Sequence, residues 1–264
     1  MSEENSFIAK PLNEARVLIT GGTSGIGLEA AVQFALAGVP QILLNGRDIE
    51  RGELARQSVL KEVPDVEVDF ISADGNDLEG ARSVVEHVKN RFGGVDMLIN
   101  SVGSEQVPEL FHNMPVERIE ETVERLIGLM QMCHLVQPMM KEQGGGAIVN
   151  IASDAAKFAT PGEAVIGAVM AGIVMFTRTL AIEGKRDGIR ANALTPSIVA
   201  GTRTYDRVMV PEFSGKLFEK AKKAAQLGVV RPEDIAPMIV FMTSPAAARM
   251  TGQAISINGG ISAG

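Results

Sequence analysis

Short apolar runs alternate with longer helical patterns along most of the chain, and this alternation limits the possible folds most strongly. The predicted strands cover 15–20, 41–45, 66–72, 95–100, 147–152, 189–195 and 254–257. The predicted helices cover 26–37, 49–62, 78–92, 116–141, 163–182, 213–226 and 232–243. Most strand runs are continuously apolar, as in strands that are buried on both faces. We therefore predict one α/β domain over 1–264, a doubly wound parallel sheet with helices on both faces.

Composition excludes several classes of function. A net charge of −7 argues against a general nucleic-acid binder and against binding to an anionic membrane. The single cysteine, Cys133, excludes an internal disulfide and a cysteine metal cluster, and it favours a reducing cytoplasm. The three histidines show no metal-ligand spacing, so no metal site is predicted. The start has no signal-peptide pattern, and the longest apolar run, after Glu163, is judged too short to span a membrane.

A glycine-rich turn, TGGTSGIG (20–27), lies between the first predicted strand and the first predicted helix. Glycines allow the backbone to turn tightly and to approach a pyrophosphate, and the helix that follows offers free N–H groups. Ligands of such sheets bind beyond the carboxyl ends of the strands. The turn therefore predicts a dinucleotide site.

The residues after the second strand bear on the choice of dinucleotide. A basic residue there favours the additional phosphate of NADP, whereas a carboxylate favours the ribose hydroxyls of NAD. Arg47 indicates NADP, and Asp48 keeps NAD possible. The alternative is that Arg47 is only a solvated loop charge.

Further motifs follow the later strands. They are Asp74 after the third strand, NSVG (100–103) after the fourth, IVNIAS (148–153), IRANALTP (189–196) and TGQAISINGG (251–260). With the glycine turn, they resemble the short-chain dehydrogenase/reductase family over nearly the whole chain. The resemblance implies a Rossmann-type fold, reduction of a carbonyl or oxidation of an alcohol, and a mobile substrate loop at about 198–215. Residues 1–14 are predicted to be an N-terminal extension.

The resemblance also implies which residues bind NADP or NAD. The candidate cofactor-binding residues are Gly21, Thr23, Ser24, Gly25, Ile26, Gly27, Arg47, Asp74, Asn100, Gly103, Pro196 and Thr202.

The catalytic positions of the family are only partly kept. Family members use a serine, a tyrosine that transfers the proton, a lysine that lowers the tyrosine pKa, and a supporting asparagine. Ser153 matches the serine, but the usual spacing puts Ile166 at the tyrosine position and Met170 at the lysine position. The asparagine position falls on Arg125. Since neither Ile166 nor Met170 can exchange a proton, the usual tyrosine catalysis is predicted to be absent.

Other polar residues could act in the vacated site. An Arg125–Asp154 pair is one candidate, which could orient a substrate, deliver a proton or form only a structural salt bridge. Tyr205 could enter from the substrate loop. The candidate catalytic residues are thus Ser153, Arg125, Asp154 and Tyr205. Lys157 and Glu163 are interpreted as surface charges.

Three functions remain open. The first is an atypical NADP-dependent oxidoreductase acting on a small carbonyl or alcohol. The second is an inactive subunit that supports an active paralogue, because relatives form homotetramers or heterotetramers through the two long helices. The third is a non-redox lyase, isomerase or cyclase on the same fold, in which nucleotide binding is lost or structural.

Overall fold

A seven-stranded parallel sheet forms the centre of the molecule, in the strand order β3-β2-β1-β4-β5-β6-β7. The computed structural model describes residues 9–103 and 105–263. The strands are β1 Arg16–Thr20, β2 Gln41–Gly46, β3 Glu67–Ser72, β4 Met97–Asn100, β5 Gly146–Ile151, β6 Ile189–Leu194 and β7 Ala254–Ile255. The predicted doubly wound α/β fold is confirmed.

Helices cover both faces of the sheet. They are α1 Gly25–Leu36, α2 Ile49–Glu62, α3 Leu78–Phe92, α4 Glu117–Glu142, α5 Ala164–Gly184, α6 Arg203–Met209, α7 Glu212–Ala224 and α8 Pro232–Thr243. Val17 and Ile19 of β1 pack into a cluster with α1, α2 and α8, whereas Leu18 packs into a second cluster with α3, α4 and α5. The continuously apolar strands are explained by this double coverage, since successive side chains point to opposite faces.

The segment predicted as a loop at about 198–215 is largely helical. It contains α6 and the beginning of α7. Thr202 starts α6, because its hydroxyl accepts a hydrogen bond from the Tyr205 N–H at 3.1 Å. The mobility of this segment stays a prediction, and most of the predicted N-terminal extension, 1–8, lies outside the described residues.

Helix α5 extends beyond the apolar run that the sequence shows after Glu163. Helical structure continues through Thr177 and Arg178, so that 24 residues, Ala164–Asp187, are long and apolar enough to cross a membrane by length and composition alone. The judgement that this run was too short is therefore wrong. In the structure one face of α5 packs into the core through residues such as Ile173 and Leu180, as expected of a buried helix beside a sheet.

A buried chain of polar side chains joins the carboxyl ends of three strands to α5. The Thr20 hydroxyl donates to Asn100 Oδ1 at 3.1 Å, and Asn100 Nδ2 donates to Asn150 Oδ1 at 2.9 Å. Asn150 Nδ2 donates in turn to the Thr177 hydroxyl at 2.8 Å. Because buried polar groups are stable only when paired, this chain fixes the relative positions of β1, β4, β5 and α5 beneath the site.

Candidate functional site

A cleft of about 570 Å³ opens at the carboxyl ends of the strands. Most of the predicted site residues line it. They are Gly21, Thr23, Ser24, Gly25, Ile26, Arg47, Asp74, Gly103, Arg125, Ser153, Asp154, Pro196, Thr202 and Tyr205. Gly27 and Asn100 are not in its lining: Gly27 packs against the turn, and Asn100 belongs to the buried polar chain. Both support the cleft from below.

The glycine turn is shaped by close contacts between backbone segments. Gly21 has φ +67°, and a Cβ there would lie 2.4 Å from the Ser101 carbonyl oxygen. A Cβ on Gly27 would lie 2.4 Å from the Gly21 carbonyl oxygen. Ser24 precedes α1 without a side-chain capping bond, so the first N–H groups of the helix are left for a ligand. The turn can therefore bind an anion through these backbone N–H groups.

Arg47 lies between two carboxylates at the β2–β3 end of the cleft. Its Nη1 is 3.6 Å from Asp74 Oδ2, and its Nη2 is 2.5 Å from Glu105 Oε1. Asp48 does not line the cleft, because its Oδ1 accepts the Arg51 N–H at 2.9 Å and caps α2. Asp48, the carboxylate that left NAD open as the cofactor, therefore caps a helix and does not line the cleft.

Arg51 is a site residue that the sequence reading missed. It lines the cleft beside Arg47, and its Nε is buried without a hydrogen-bond partner in the described part of the chain. Its Nη2 lies 3.5 Å from Asp48 Oδ2. A charge in the first turn of a helix ordinarily indicates a solvated face, so only the position of α2 over the cleft reveals it.

Ser153 and an apolar face of α5 form the other end of the cleft. Ser153 Oγ accepts the Ala155 N–H at 3.3 Å, and its hydroxyl hydrogen can be donated to a ligand. Ile166 and Met170, one turn apart on α5, line the cleft in its vicinity. These two side chains give this part of the cleft an apolar wall that carries no transferable proton.

Asp154 faces the C-terminal segment, and the predicted Arg125–Asp154 pair is wrong for the described structure. Asp154 is 7% exposed. Its Oδ2 accepts hydrogen bonds from Asn258 Nδ2 and Ser262 Oγ, each at 2.7 Å, and its Oδ1 accepts one from Ser256 Oγ at 3.2 Å. The carboxylate is therefore satisfied by residues about a hundred positions away in the sequence, and it anchors that segment.

Arg125 projects into the cleft without a counter-ion. Its guanidinium takes part in none of the ion pairs or hydrogen bonds found for residues 9–103 and 105–263. Burial lowers the pKa of Arg125 to about 10, since desolvation disfavours the charged form. At neutral pH the side chain is still a cation.

Glu163 and Lys157 are not the solvated surface charges that the sequence suggested. Glu163 lines the cleft, and burial raises the pKa of its carboxyl, which favours the neutral acid. Lys157 Nζ donates to the Ala254 carbonyl at 3.0 Å and to Ser256 Oγ at 2.9 Å. Burial lowers the Lys157 pKa, and the nearby Asp154 opposes that shift.

Tyr205 lines the cleft from α6. It also interacts with Lys222 of α7: the pKa of Lys222 is raised first by its hydrogen bond to Glu219 and to a smaller extent by Tyr205. Lys222 lies outside the lining of the cleft. Among the described residues, no group of three or more His, Cys, Asp and Glu side chains could hold a metal ion.

Comparison with known proteins agrees with this geometry. The sequence model of the enoyl-(acyl carrier protein) reductase family matches residues 21–262. The 3-oxoacyl-(acyl-carrier-protein) reductase FabG of Thermotoga maritima is 31% identical over 252 residues, which cover 92% of this chain and 96% of the relative.

Two solved structures are similar over almost their whole length. Levodione reductase has a TM-score of 0.89 and 28% identity, covering 95% of this chain and 98% of the other. The L-sorbose reductase of Gluconobacter frateurii, complexed with NADPH and L-sorbose, has a TM-score of 0.85 and 30% identity, covering 97% and 98%. With its glycine turn, strand order and motifs, the chain belongs to the short-chain dehydrogenase/reductase family of NAD(P)-dependent oxidoreductases.

Proposed function

We propose that the chain binds NADP(H) in this cleft and interconverts a carbonyl and an alcohol without the Tyr–Lys pair of its family. The observation that carries the proposal is a pair of arginines, Arg47 and Arg51, at the β2–β3 end of the cleft beside the glycine-rich turn. Arg51 Nε is buried and unpaired in the described structure, so an added phosphate would satisfy it. When bound, the nicotinamide supplies or accepts the hydride.

The chain's own groups act on the reacting oxygen. Ser153 can donate a hydrogen bond to that oxygen, and two groups lining the cleft can carry its proton: the Glu163 carboxyl and the Tyr205 phenol. Asp154 is held by the C-terminal segment and is left out of this role. Met170 offers no hydrogen bond to the nicotinamide ribose, so that ribose would depend on other groups.

Changing Arg47 to alanine tests the choice of cofactor. We expect NADPH affinity to fall about 10- to 100-fold, because a charge-assisted hydrogen bond to the phosphate is lost. NADH affinity should change little, since NADH has no phosphate at that position. Calorimetric titration of both nucleotides measures the two affinities.

Arg56→Ala is the matched control, because Arg56 is on the same helix as Arg51 but pairs with Glu53 at 2.6 Å. It should leave both affinities unchanged. An equal loss of affinity for NADPH and for NADH in the Arg47→Ala variant would refute the assignment of NADP as the cofactor. If the wild-type chain bound neither nucleotide, the oxidoreductase proposal itself would fail, and an inactive supporting subunit, suggested by Ile166 and Met170, or a non-redox enzyme would take its place.

We also propose that α4 and α5 form a subunit interface, either between copies of this chain or with a paralogue, in the cytoplasm. Three large apolar side chains support this: Ile127 on α4 is 44% exposed, and Met175 and Ile182 on α5 are 59% and 61% exposed. Burying the apolar surface that these side chains still expose is favourable by about 25 cal/mol per Å². The Met175→Lys/Ile182→Glu variant should therefore dissociate an assembly that light scattering detects in the wild type.

Val210→Glu is the control for that experiment, since Val210 is 84% exposed but lies between α6 and α7. It should leave the mass of the assembly unchanged. A wild-type chain that is monomeric on its own would contradict a homo-oligomer, and co-purification with a paralogous subunit would then decide between the two assemblies.

A further inference from the structure

Arg125 is a partly buried cation that forms no ion pair in the described part of the chain. Four carboxyl groups line the same cleft, and each is already accounted for. Asp74 and Glu105 lie against Arg47, and Asp154 is held by Ser256, Asn258 and Ser262. Glu163 also lines the cleft but forms no ion pair with Arg125 in the described part of the chain. The Arg125 guanidinium is therefore left to whatever enters the cleft.

Removing an arginine from water without pairing it is unfavourable, and a protein tolerates this at sites where a ligand provides the partner. A guanidinium presents its donors in a planar fork that matches a carboxylate through two parallel hydrogen bonds. The small inner cavity that Arg125 also lines has a volume of only about 10 Å³. That volume is enough for about one water molecule, so an anion that pairs with Arg125 has to lie in the main cleft.

Apolar side chains from two helices also line this part of the cleft. Ile166 and Met170 line it from α5, and Leu217 and Phe218 line it from α7. Ser153 is the polar group at the end of β5. The Arg125 guanidinium, the Ser153 hydroxyl and these apolar side chains suit a molecule with one carboxylate, one reacting oxygen and an apolar body.

We propose that Arg125 binds the carboxylate of the substrate, and that the substrate is an oxo acid or the corresponding hydroxy acid with an apolar body. The proposal rests on the proposed function and specifies its substrate class. In the reduction, the carbonyl carbon would take up a hydride, one hydrogen with two electrons, which bound NADPH would supply on oxidation to NADP⁺. The carbonyl oxygen takes one proton from a group of the cleft, and the product is the hydroxy acid.

Benzoylformate and its methyl ester form a matched pair of probes, because they differ in the charge of one group. Calorimetric titration of the purified full chain, with and without NADP⁺, should show benzoylformate binding at least tenfold more tightly than the ester. Arg125→Met should abolish that preference, and Arg125→Lys, which keeps the charge but not the planar fork, should retain part of it. Arg118→Met should leave the preference intact, since Arg118 is on the same helix but pairs with Glu109 at 3.3 Å.

The outcomes separate this inference from the proposed function. Equal binding of acid and ester by the wild type, or an undiminished preference in Arg125→Met, would overturn the role of Arg125 even if NADPH binds. A parallel loss of NADPH and NADH affinity in Arg125→Met would assign Arg125 to the cofactor and would also overturn the proposed role of Arg125.

If the wild type binds no nucleotide, the oxidoreductase proposal fails, but an Arg125-dependent preference for benzoylformate would still support the carboxylate site. If Arg125→Met does not fold, the reduced preference of Arg125→Lys makes the same test.

Discussion

Replacing Gly21 with alanine should lower the free energy of unfolding by about 2–5 kcal/mol, since overpacking contributes about 1–3 kcal/mol and a left-handed backbone about 1–2 kcal/mol. Gly21 has φ +67°, and its added Cβ would lie 2.4 Å from the Ser101 carbonyl oxygen and 2.8 Å from the Val102 nitrogen. Both atoms belong to the backbone, and the Ser101 N–H donates to the Thr20 carbonyl at 3.0 Å, so this segment cannot move away freely. Urea denaturation measures the loss, and calorimetry should show that NADPH binding is lost with the shape of the turn.

Gly38→Ala separates the two contributions. Gly38 has φ +87°, as strained for alanine as Gly21, but a Cβ there would meet no atom within 4 Å. It should therefore lose only about 1–2 kcal/mol, the contribution of the left-handed backbone. It should also keep NADPH binding, because Gly38 follows the end of α1 that lies away from the cleft. A Gly21→Ala variant no less stable than Gly38→Ala would show that the turn can relax.

The fold could be predicted from the sequence because its signals are local. The continuous apolar strands and the capped helices are visible in short windows, and α2, α3 and α8 begin and end where the sequence placed them. The helix α6 was missed since it has only seven residues and starts at Thr202 within a segment that resembles a mobile loop. A threonine is a favoured N-cap residue, so Thr202 is a local signal for the start of this helix.

The site was predicted less completely, because it depends on which way charged side chains face. Asp154 was expected to pair with Arg125, but its partners come from the C-terminal segment, at Asn258 and Ser262. The sequence indicates a surface charge at Glu163 and gives no signal at Arg51, and only the packing of α2 and α5 against the sheet brings both residues to the cleft. Such orientations follow from contacts between distant parts of the chain, which spacing along the sequence does not record.

Changing Asp96 to asparagine should lower the free energy of unfolding by about 3–5 kcal/mol, because breaking a buried ion pair leaves one charge uncompensated. Asp96 is 4% exposed and precedes β4. Its Oδ2 accepts both the backbone N–H and the Nε of Arg16 at 2.8 Å, and its Oδ1 accepts Arg16 Nη2 at 3.0 Å and Lys10 Nζ at 3.1 Å. An asparagine has a similar shape, but its NH2 group would face two of these donors where an oxygen now accepts them, and Arg16 would remain largely buried.

The effect should depend on pH in a defined direction. Burial raises the pKa of Asp96, but the hydrogen bonds from Arg16 and Lys10 outweigh burial and hold the pKa below its usual 3.8. A carboxyl whose folded-state pKa is lowered stabilises the protein above the unfolded pKa, and this contribution is lost as the pH falls through the folded value. The difference in stability between wild type and Asp96→Asn should therefore be largest near neutral pH and should shrink below pH 3.8.

Glu212→Gln is the control, because Glu212 and Lys216 form an ion pair whose side chains are 83% and 73% exposed. It should change stability by no more than about 1 kcal/mol, as solvent screens such pairs. Asp96 lies at the amino ends of the strands, opposite the cleft, so the folded variant should bind NADPH as tightly as the wild type. A variant that remains stable but no longer binds NADPH would contradict this expectation. It would mean that the Arg16–Asp96 pair sets the register of β1 and β4. That register fixes the positions of Gly21 and Asn100 at the opposite ends of the two strands.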